Sequence, residues 1–434
     1  MPLLPTRLRG QDDIRGDQPD RRRRTGLKVA VATVAALGVA VGAVTISAAN
    51  DSTARVPSST TTTVPGATST AGGATSVAVP GPTSTSGAVT SNGAPAVSVP
   101  GGAVPGRGAF DAVSCPQVSA CVAVGGNGMG TGVIATSRSE GAAWTLQPQP
   151  LATPDLLGVD CPSVATCVAV GPNAAMTMDP GGAAWSLHSL PTRDTTLLGV
   201  SCPTTTHCVA GGIAPVSGGS VGGRMLVSVD GGATWTTSSL PVGTGGIAAV
   251  TCTSATSCIA VGAGIFRSDD GGATWRFAPV DGGITGSLTS VACSTPLHCE
   301  AVGPNPVAAT VPTAAGVAVV TDDGGATWRP LSLPATSGSA RVIRCWLGTN
   351  CLVAGSSLTF GGPGLVESSS DGGATWHADV APPRMSDIAD VSCPSTTDCV
   401  MVGDAGQPGA NSDTAISAAT SDGTTWQTHA EPDL

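Results

Sequence analysis

Short apolar runs recur throughout residues 108–434, and glycine, proline and hydroxyl residues separate them. Residues 157–159 form such a run shortly before a cysteine, and residues 168–170 form one after a cysteine. This part of the chain has no long helical pattern. Short apolar runs bounded by turn-forming residues are typical of strands in all-β proteins. The pattern therefore predicts many short strands joined by tight turns.

One hexapeptide, Asp-Gly-Gly-Ala-Thr-Trp, sets the period of these runs. Four complete copies and three looser copies use seven of the eight tryptophans: the complete copies span 230–235, 270–275, 323–328 and 371–376, and the looser ones end at Trp144, Trp185 and Trp426. Self-similarity at a fixed period indicates a repeat architecture. The sequence therefore predicts seven copies of one structural unit.

Each part of the hexapeptide has a structural interpretation. The aspartate accepts hydrogen bonds from the backbone of its own turn, the glycines take positive φ, and the tryptophan packs between neighbouring sheets. We therefore predict structural roles, not catalytic ones, for two sets of residues: the aspartates Asp179, Asp230, Asp270, Asp323, Asp371 and Asp422, and the tryptophans Trp144, Trp185, Trp235, Trp275, Trp328, Trp376 and Trp426.

A second motif, Cys-x5-Cys, runs in phase with the first and uses all fourteen cysteines. Opposed residues of an antiparallel hairpin lie about 4.5–5.5 Å apart at Cα, which suits a disulfide, whereas zinc sites need closer cysteines in sets of four. We predict seven disulfides and no metal or cofactor: Cys115–Cys121, Cys161–Cys167, Cys202–Cys208, Cys252–Cys258, Cys293–Cys299, Cys345–Cys351 and Cys393–Cys399.

The pattern Ser-x-Asp-x-Gly-x-Thr-Trp resembles the Asp-box, or bacterial neuraminidase repeat. Its full copies here are residues 228–235, 268–275, 321–328 and 369–376, and the copy at 137–144 has Ser139 in the aspartate position. The family includes sialidases, sortilin-type receptors, xyloglucan-cleaving glycosidases and photosystem II assembly factors. The resemblance covers residues 108–434 and implies a seven-bladed β-propeller of four-stranded antiparallel blades, with each box between the third and fourth strands.

The first 107 residues differ in composition from the repeats. Residues 1–28 hold seven arginines and Lys28, and Val29 to Ala49 is an uncharged run long enough to cross a bilayer. We expect a basic cytoplasmic segment, then a transmembrane anchor or uncleaved signal, with the propeller outside the cell membrane. The alternative is a secreted protein cleaved near Ala49. Residues 50–107, rich in Ser, Thr, Pro, Gly and Ala, are predicted to be a disordered linker.

Charge limits the partners of the repeat region. From residue 108 onward the chain has 24 acidic residues, nine arginines and no lysine, which gives a net charge of −15. Nucleic-acid binding requires clustered basic residues, so no nucleic-acid partner is expected. Strand alternation places the disulfide turns and boxes on one face, and the second-to-third-strand loops and blade links on the other. Because binding residues usually lie on variable loops, we expect an unknown protein or glycan to bind the second face, the variable-loop face.

Enzymatic activity is the alternative function. A sialidase needs a tyrosine nucleophile, and the chain has no tyrosine. A glycoside hydrolase that uses paired carboxylates stays open, and six aspartates outside the boxes are its candidates: Asp155, Asp194, Asp281, Asp387, Asp390 and Asp404. His207 and His298 hold equivalent places before the second cysteine, and we interpret that place as a tolerant turn position. The sequence favours a membrane-tethered binding or scaffold propeller without catalytic residues, and an exported glycoside hydrolase is the second hypothesis.

Overall fold

The described part of the protein is built from seven antiparallel sheets. The structure, a computed structural model, describes residues 108–179, 182, 184–216, 219–283, 286–304, 316–334, 338–346, 348–358, 362–405 and 414–430. Within these residues, every sheet has four strands, and neighbouring strands in a sheet follow one another in the chain. The predicted seven-bladed, all-β propeller is therefore confirmed. The segments 1–28, 29–49 and 50–107 lie outside the described residues, and within those residues no helix could cross a membrane.

The blades are contiguous stretches of chain. Their strands are, in blade 1, β1 (Ala109–Gln117), β2 (Ala120–Gly126), β3 (Gly132–Ser137) and β4 (Thr145–Leu146); in blade 2, β5 (Gly158–Ser163), β6 (Thr166–Gly171), β7 (Ala174–Met178) and β8 (Trp185–Ser189); in blade 3, β9 (Thr196–Ser201), β10 (Cys208–Pro215), β11 (Val221–Ser228) and β12 (Thr236–Thr237); in blade 4, β13 (Ile247–Cys252), β14 (Cys258–Gly262), β15 (Ile265–Ser268) and β16 (Arg276–Phe277); in blade 5, β17 (Ser290–Cys293), β18 (Cys299–Gly303), β19 (Val317–Thr321) and β20 (Arg329–Leu331); in blade 6, β21 (Gly338–Trp346), β22 (Asn350–Ser357), β23 (Leu365–Ser369) and β24 (His377–Ala378); and in blade 7, β25 (Asp387–Ser392), β26 (Cys399–Ala405), β27 (Thr414–Thr420) and β28 (Gln427–Ala430).

The hydrophobic core is divided among the joints between blades. One cluster joins Val168 and Val170 of blade 2 to Leu226 and Trp235 of blade 3, and a comparable cluster occupies each of the other joints. Strand alternation explains this arrangement, because each middle strand presents alternate side chains to the blades on its two sides. The tryptophan of the box therefore contributes to the contact with a neighbouring blade, as its ring size predicts.

The second glycine of the box allows the blades to approach closely. Gly232 has a φ of +93°, and a Cβ atom there would lie 2.9 Å from Val168 of the preceding blade. Gly272 and Gly325 have the same relation to Val209 and Ile259. A side chain at these glycines would be strained by the backbone and would also collide with the preceding blade.

All seven predicted disulfides are formed, and each lies within its own blade. Their Cα atoms are 3.9 to 4.1 Å apart, closer than the separation expected for an unlinked strand pair. In blade 1 the strands continue beyond the disulfide, so that Gln117 pairs with Ala120 and the turn is shorter than the five residues expected.

The ring closes through side chains that join blade 7 to blade 1. The backbone N–H of Val113 donates to the Asp390 carboxylate at 3.0 Å, and that of Cys115 donates to the Ser392 hydroxyl at 2.9 Å. The Trp144 indole donates to Ser417 at 3.1 Å. In the described strands, the first sheet contains only β1–β4 and the last only β25–β28, so the two blades meet without sharing a strand.

Candidate functional site: the channel and the variable-loop face

Each complete Asp-box satisfies its own carboxylate. In blade 3, Asp230 accepts hydrogen bonds from the Ser228 hydroxyl at 2.8 Å, from the Thr234 backbone at 2.9 Å and from the Thr234 hydroxyl at 2.6 Å. The equivalent bonds form at Asp270, Asp323 and Asp371. At Asp371 the threonine hydroxyl and backbone N–H groups lower the pKa to about 2. The carboxylate oxygens are thus engaged within the turn, as a structural role requires.

The looser boxes form the same kind of turn with small changes. Asp422 accepts from the backbones of Thr424 and Thr425 at 2.8 and 2.6 Å, and Asp179 accepts from the Ser186 hydroxyl at 2.9 Å. In blade 1, Ser139 replaces the aspartate, and its hydroxyl accepts from the Ala143 backbone at 3.0 Å. A hydroxyl therefore does locally what a carboxylate does in the other blades.

In six of the seven boxes the residue that begins the pattern is a buried hydroxyl, to which the sequence pattern assigned no role of its own. The Ser228 hydroxyl accepts a hydrogen bond from the buried backbone N–H of Gly232 at 2.8 Å, and the Ser268 hydroxyl accepts one from Gly272 at the same distance.

Six of the seven box tryptophans are buried, and Trp376 is half-buried. In blade 3 the Trp235 indole donates to the Gly232 carbonyl at 2.9 Å, which fixes the ring against the turn.

The disulfide turns and the boxes lie on one face and bond to each other. The N–H of Gly231 donates to the Thr206 carbonyl at 2.8 Å, and that of Gly271 donates to the Thr256 carbonyl at 2.9 Å. His207 also contacts the Gly271 carbonyl of the next blade, with its Nε2 at 2.9 Å. His207 therefore makes a contact between two blades. The sequence indicates only that its place in the turn tolerates different residues.

The first strands of the seven blades line one central channel of about 450 Å³. The residue before the first cysteine of a blade bonds across this channel wall to the next blade. The backbone N–H of the next blade's first cysteine donates to it: Cys161 to Ser114 at 3.1 Å, Cys202 to Asp160 at 2.6 Å, Cys252 to Ser201 at 3.1 Å, and Cys115 to Ser392 at 2.9 Å. We call these four bonds the clasp, and they tie adjacent blades together around the channel.

The charged groups of the channel lie on blades 6, 7, 1 and 2. Arg344 of blade 6 donates to Asp390 of blade 7 at 2.6 Å and to the Ser290 hydroxyl at 3.3 Å. Arg341 contacts both carboxylate oxygens of Asp387 at 2.6 Å. The lining contributed by blades 3 and 4 is Leu, Gly, Val, Ala, Ser and Thr. The channel therefore has a charged half and an uncharged half.

A carboxyl with a raised pKa lies at the variable-loop mouth of the channel. Asp111 lines the channel, and its side chain is exposed to solvent there. The pKa of Asp111 is raised to about 7, mainly by desolvation. The carboxylates of Asp155 and Asp387 also raise this pKa, and Arg341 lowers it. Burial also raises the pKa of Asp155. This mouth therefore gathers three carboxyl groups, Asp111, Asp155 and Asp387, around Arg341.

The six aspartates outside the boxes occupy different places. Asp155 and Asp387 lie at the channel mouth, and Asp390 is buried in the channel wall beside Arg344. Asp404 pairs with Asp387 across β25 and β26. Asp194 and Asp281 lie in the links between blades. The structure thus brings only some of these candidates together, and Asp111 joins them although the sequence analysis did not select it.

The links between blades form similar turns on the variable-loop face. In two of them a threonine hydroxyl donates to a proline carbonyl three residues earlier, Thr153 to Pro150 at 2.8 Å and Thr244 to Pro241 at 2.7 Å. The carbonyls of Thr153 and Thr244 accept the N–H groups of Gly132 and Gly223, near the start of a third strand. This packing fixes the links against the second-to-third-strand loops.

These turns hold large apolar side chains in solvent. Leu151 and Val242 follow the two prolines and are fully exposed. Met129 of blade 1, and Val216 and Val221 at the tip of the blade 3 hairpin, are also exposed on this face. The hairpin ladder of blade 3 extends to the pair Pro215–Val221, so β10 and β11 stay paired up to the tip of this hairpin. The sequence signal for the two link turns is the repeated Pro-x-x-Thr.

No protein-family model matches the chain, and no curated protein matches it. Three solved structures illustrate its likeness to known proteins: YCF48 bound to D1 peptide, at 18% identity over 63% of this chain and 80% of that chain, with a TM-score of 0.45; U3-55K, at 10% identity over 72% and 95%, with a TM-score of 0.53; and the GH74 xyloglucanase from Xanthomonas campestris, at 13% identity over 75% and 55%, with a TM-score of 0.53. At these identities the likeness concerns the fold. The chain is a seven-bladed propeller with Asp-box turns, and these structural neighbours include a protein solved with a bound peptide and a xyloglucanase.

Proposed function

We propose that the protein is a non-enzymatic binding propeller, tethered to the cell membrane by residues 29–49 and displayed outside, whose variable-loop face recognises a protein ligand. The observation that carries this proposal is the group of exposed apolar side chains on that face. Leu151, Val216 and Val242 are held in solvent by hydrogen-bonded turns and by the blade 3 hairpin. Exposed apolar side chains on a rigid surface are typical of protein interaction sites.

The opposite face offers less to a ligand. Its box carboxylates and disulfide turns are engaged with each other and with their own backbones. Val229, Leu297 and Val164 lie there with 73%, 61% and 48% of their surface exposed, but they stand on or beside these saturated turns. The rigidity of the box face and the apolar groups of the variable-loop face both support binding at the latter, in agreement with the usual location of binding loops.

A protein fits this surface better than a glycan. Sugar rings are commonly bound by stacking on exposed aromatic rings. The large apolar side chains exposed on the described part of this face are mostly leucine, valine and methionine, and Phe277, 60% exposed beside the β14–β15 turn, is a single aromatic ring among them. The mouth of the channel beside them is acidic, with Asp111, Asp155 and Asp387 against Arg341. We therefore expect a protein segment with apolar anchors and a basic group.

Site-specific photo-crosslinking in cells tests this proposal. A photoreactive amino acid at Val242 or Leu151 of the full chain should give discrete protein adducts, and the same residue at Val229 should give few. The adduct is then identified, and its affinity is measured for the wild type, Val242→Asp and the matched control Val229→Asp. We expect Val242→Asp to weaken binding at least about tenfold, since about 1.4 kcal/mol is a modest loss for an interface anchor.

The opposite results would end the proposal. Equal adduct yields from both faces, or equal affinities of the two aspartate variants, would remove the variable-loop face as the binding site. Retention on a polysaccharide column that Val242→Asp abolishes, without protein adducts, would replace the protein ligand with a glycan.

A glycoside hydrolase is the second candidate, and the carboxyls at the channel mouth favour it. Asp111 has a pKa raised to about 7 and lies within electrostatic reach of Asp155. A protonated acid beside an ionised carboxylate is the pairing that glycoside hydrolysis requires. Wild-type protein incubated with soluble β-glucans should then release reducing ends, and Asp111→Asn should release at least about 100-fold fewer. Equal release by the variant, or none by the wild type, rejects this candidate.

A further inference from the structure

The residue after the second cysteine has the same environment in five joints between blades, those of Val168, Val209, Ile259, Glu300 and Val400. It faces the next blade, where it packs beneath the box glycine and beside the disulfide, as Val168 does with Gly232 and with the disulfide Cys202–Cys208. Six of the seven residues at this position are apolar and the seventh is a carboxylic acid: Val122, Val168, Val209, Ile259, Glu300, Leu352 and Val400. Blade 5 therefore places a carboxyl group where the repeat otherwise places a hydrocarbon.

Glu300 is buried at the joint between blades 5 and 6. Only 1% of its surface is exposed, and its Oε1 is 3.4 Å from the Nε2 of His298. Its Oε2 is buried and has no hydrogen-bond partner among the residues that the structure describes. A buried carboxyl oxygen without a donor is costly when ionised, so the site favours the protonated acid.

This carboxyl group lies beside one disulfide of blade 6. A carboxyl oxygen of Glu300 and the sulfurs of Cys345 and Cys351 all lie within 4.8 Å of one another. Cys351 is fully buried, whereas Cys345 is half-buried and lines the channel. An external thiol can therefore approach Cys345 from the channel, with the Cys351 sulfur behind it next to the acid.

A chain of polar groups connects Glu300 to solvent. The Nδ1 of His298 is 2.6 Å from Asp322, whose other oxygen accepts from exposed Arg329 at 2.9 Å. From blade 6, the Asp371 carboxylate also acts on Glu300, and buried Glu367 lies on β23 of that blade. The pKa of Glu300 is raised to about 7, mainly because the group is buried. The negative charges of Asp371 and Asp322 also raise this pKa, whereas His298 lowers it. The acid is thus protonated in weakly acidic solution and can be reprotonated through His298.

We propose that Cys345–Cys351 is a redox-active disulfide that exchanges with external dithiols, and that Glu300 supplies the proton to the leaving sulfur. The thiolate of the dithiol attacks the Cys345 sulfur, the S–S bond breaks, and its electron pair leaves on the Cys351 sulfur, which takes the Glu300 proton. The second thiol of the dithiol, after losing its proton to solvent, attacks the dithiol's own sulfur in the mixed disulfide. Cys345 leaves as a thiolate and is protonated by water, so the dithiol is oxidised and both cysteines become thiols.

Access alone does not select this disulfide. The first cysteines Cys252, Cys293 and Cys393 are half-buried like Cys345. Their disulfides pack against Val209, Ile259 and Leu352 respectively, none of which can donate a proton. The leaving sulfur at those three sites must depart as a buried thiolate, which is unfavourable in apolar surroundings. These three disulfides are therefore internal controls for the effect of Glu300.

The test is competitive reduction of the full, oxidised chain. The protein is treated briefly with dithiothreitol at pH 6, 7 and 8 and alkylated, and the labelling of all fourteen cysteines is measured by peptide mass spectrometry. Thiolate formation by dithiothreitol affects every disulfide alike, so the ratio of rates within one sample isolates the local effect. At pH 6 we expect Cys345–Cys351 to react at least about tenfold faster than the mean of the three controls. The ratio should fall as pH rises through about 7.

Two variants separate proton donation from packing. Glu300→Val installs the residue that four other blades carry, and Glu300→Gln keeps the shape without an acidic proton. Both should bring the ratio to within about twofold of unity and remove its pH dependence, since general acid assistance is lost. Ile259→Val beside Cys293–Cys299 is the control for a change of volume, and its ratio should stay near that of the wild type. Equal reduction of the four disulfides in the wild type, a ratio independent of pH, or an undiminished ratio in Glu300→Gln would each overturn the proposal.

Discussion

The hydroxyl at the start of each box should matter more for stability than the aspartate. Ser228→Ala removes the acceptor of the buried Gly232 N–H, bonded at 2.8 Å, and the weaker acceptor of the Asp230 N–H at 3.4 Å. Gly232 cannot move away to find water, because it lies against Val168 of the preceding blade. A buried N–H left without an acceptor costs about 1–3 kcal/mol, so we expect a loss of about 2 kcal/mol in the free energy of unfolding.

Asp230→Ala removes more hydrogen bonds but should cost less. Its carboxylate accepts from Ser228 and twice from Thr234, and the bonds to Thr234 are exposed. Water replaces the carboxylate at exposed donors, which returns most of the lost free energy. We therefore expect a loss of about 1 kcal/mol, the ordinary net value of such bonds.

The assay is guanidinium unfolding of the full chain with disulfides intact, in paired variants of two blades. Ser268→Ala and Asp270→Ala repeat the comparison in blade 4, where the corresponding serine and backbone distances are the same. Thr236→Ala, which removes only the 3.2 Å bond to the Val227 carbonyl, should change the free energy by less than about 0.5 kcal/mol. A larger loss for aspartate than for serine in both blades would refute the reasoning, because it would show that the carboxylate, not the buried hydroxyl, holds the turn.

Three further predictions concern the clasp, pH and the membrane. Asp160→Ser, which installs the residue of three other blades, should preserve the bond from Cys202 and unfold with nearly the wild-type free energy, whereas Asp160→Ala should lose about 1–3 kcal/mol in the same assay. Folded Glu300 keeps its proton to about pH 7, while the unfolded chain releases it near 4.5, so stability should fall as pH rises between these values. Asp371, with its pKa lowered to about 2, contributes stability that is lost only below about pH 3.8. Calorimetry should therefore place the highest melting temperature near pH 4–5, and a maximum at pH 8 would contradict this. Finally, the run Val29 to Ala49 should keep the full chain in the membrane fraction, and a soluble form with an N-terminus near residue 50 would show cleavage instead.

The blades could be predicted from sequence because their information is local. The box spans eight residues and the disulfide hairpin seven, and each recurs often enough for a chance match to be excluded. Strand alternation predicts that the disulfide turns and the boxes lie on one face. The hydrogen bond from the Gly231 N–H to the Thr206 carbonyl joins a box to a disulfide turn on that face. The looser box of blade 1 was recognised although Ser139 replaces its aspartate, because the tryptophan kept its place in the period.

The channel and the joints could not be predicted in the same way, because their partners come from different blades. Arg341 and Asp387 are 46 residues apart, and nothing near either residue indicates the pair. The clasp does leave a periodic trace, since Ser114, Asp160 and Ser201 precede their cysteines with a side-chain acceptor. That trace becomes interpretable only when the blades are known to form a ring.

The same limit applies to Glu300. In sequence it is one polar residue among short apolar runs, and its position in the repeat shows only that it departs from the other six. Its burial depends on blade 6, whose Gly373 leaves room for the carboxyl group: a Cβ atom at Gly373 would collide with Glu300. Packing between units, not the pattern within one unit, therefore determines how this group ionises.

The way the ring closes makes the order of the blades in the chain a matter of convention. Every blade is one continuous stretch, and the joint between blade 7 and blade 1 uses the same clasp bond, from Cys115 to Ser392, that joins Cys161 to Ser114. A peptide of about ten residues, the length of the natural link between β12 and β13, would connect β28 to β1 as the other links connect their blades. The propeller is thus suited to circular permutation, with new ends opened in any exposed link and all seven disulfides still formed within their own blades.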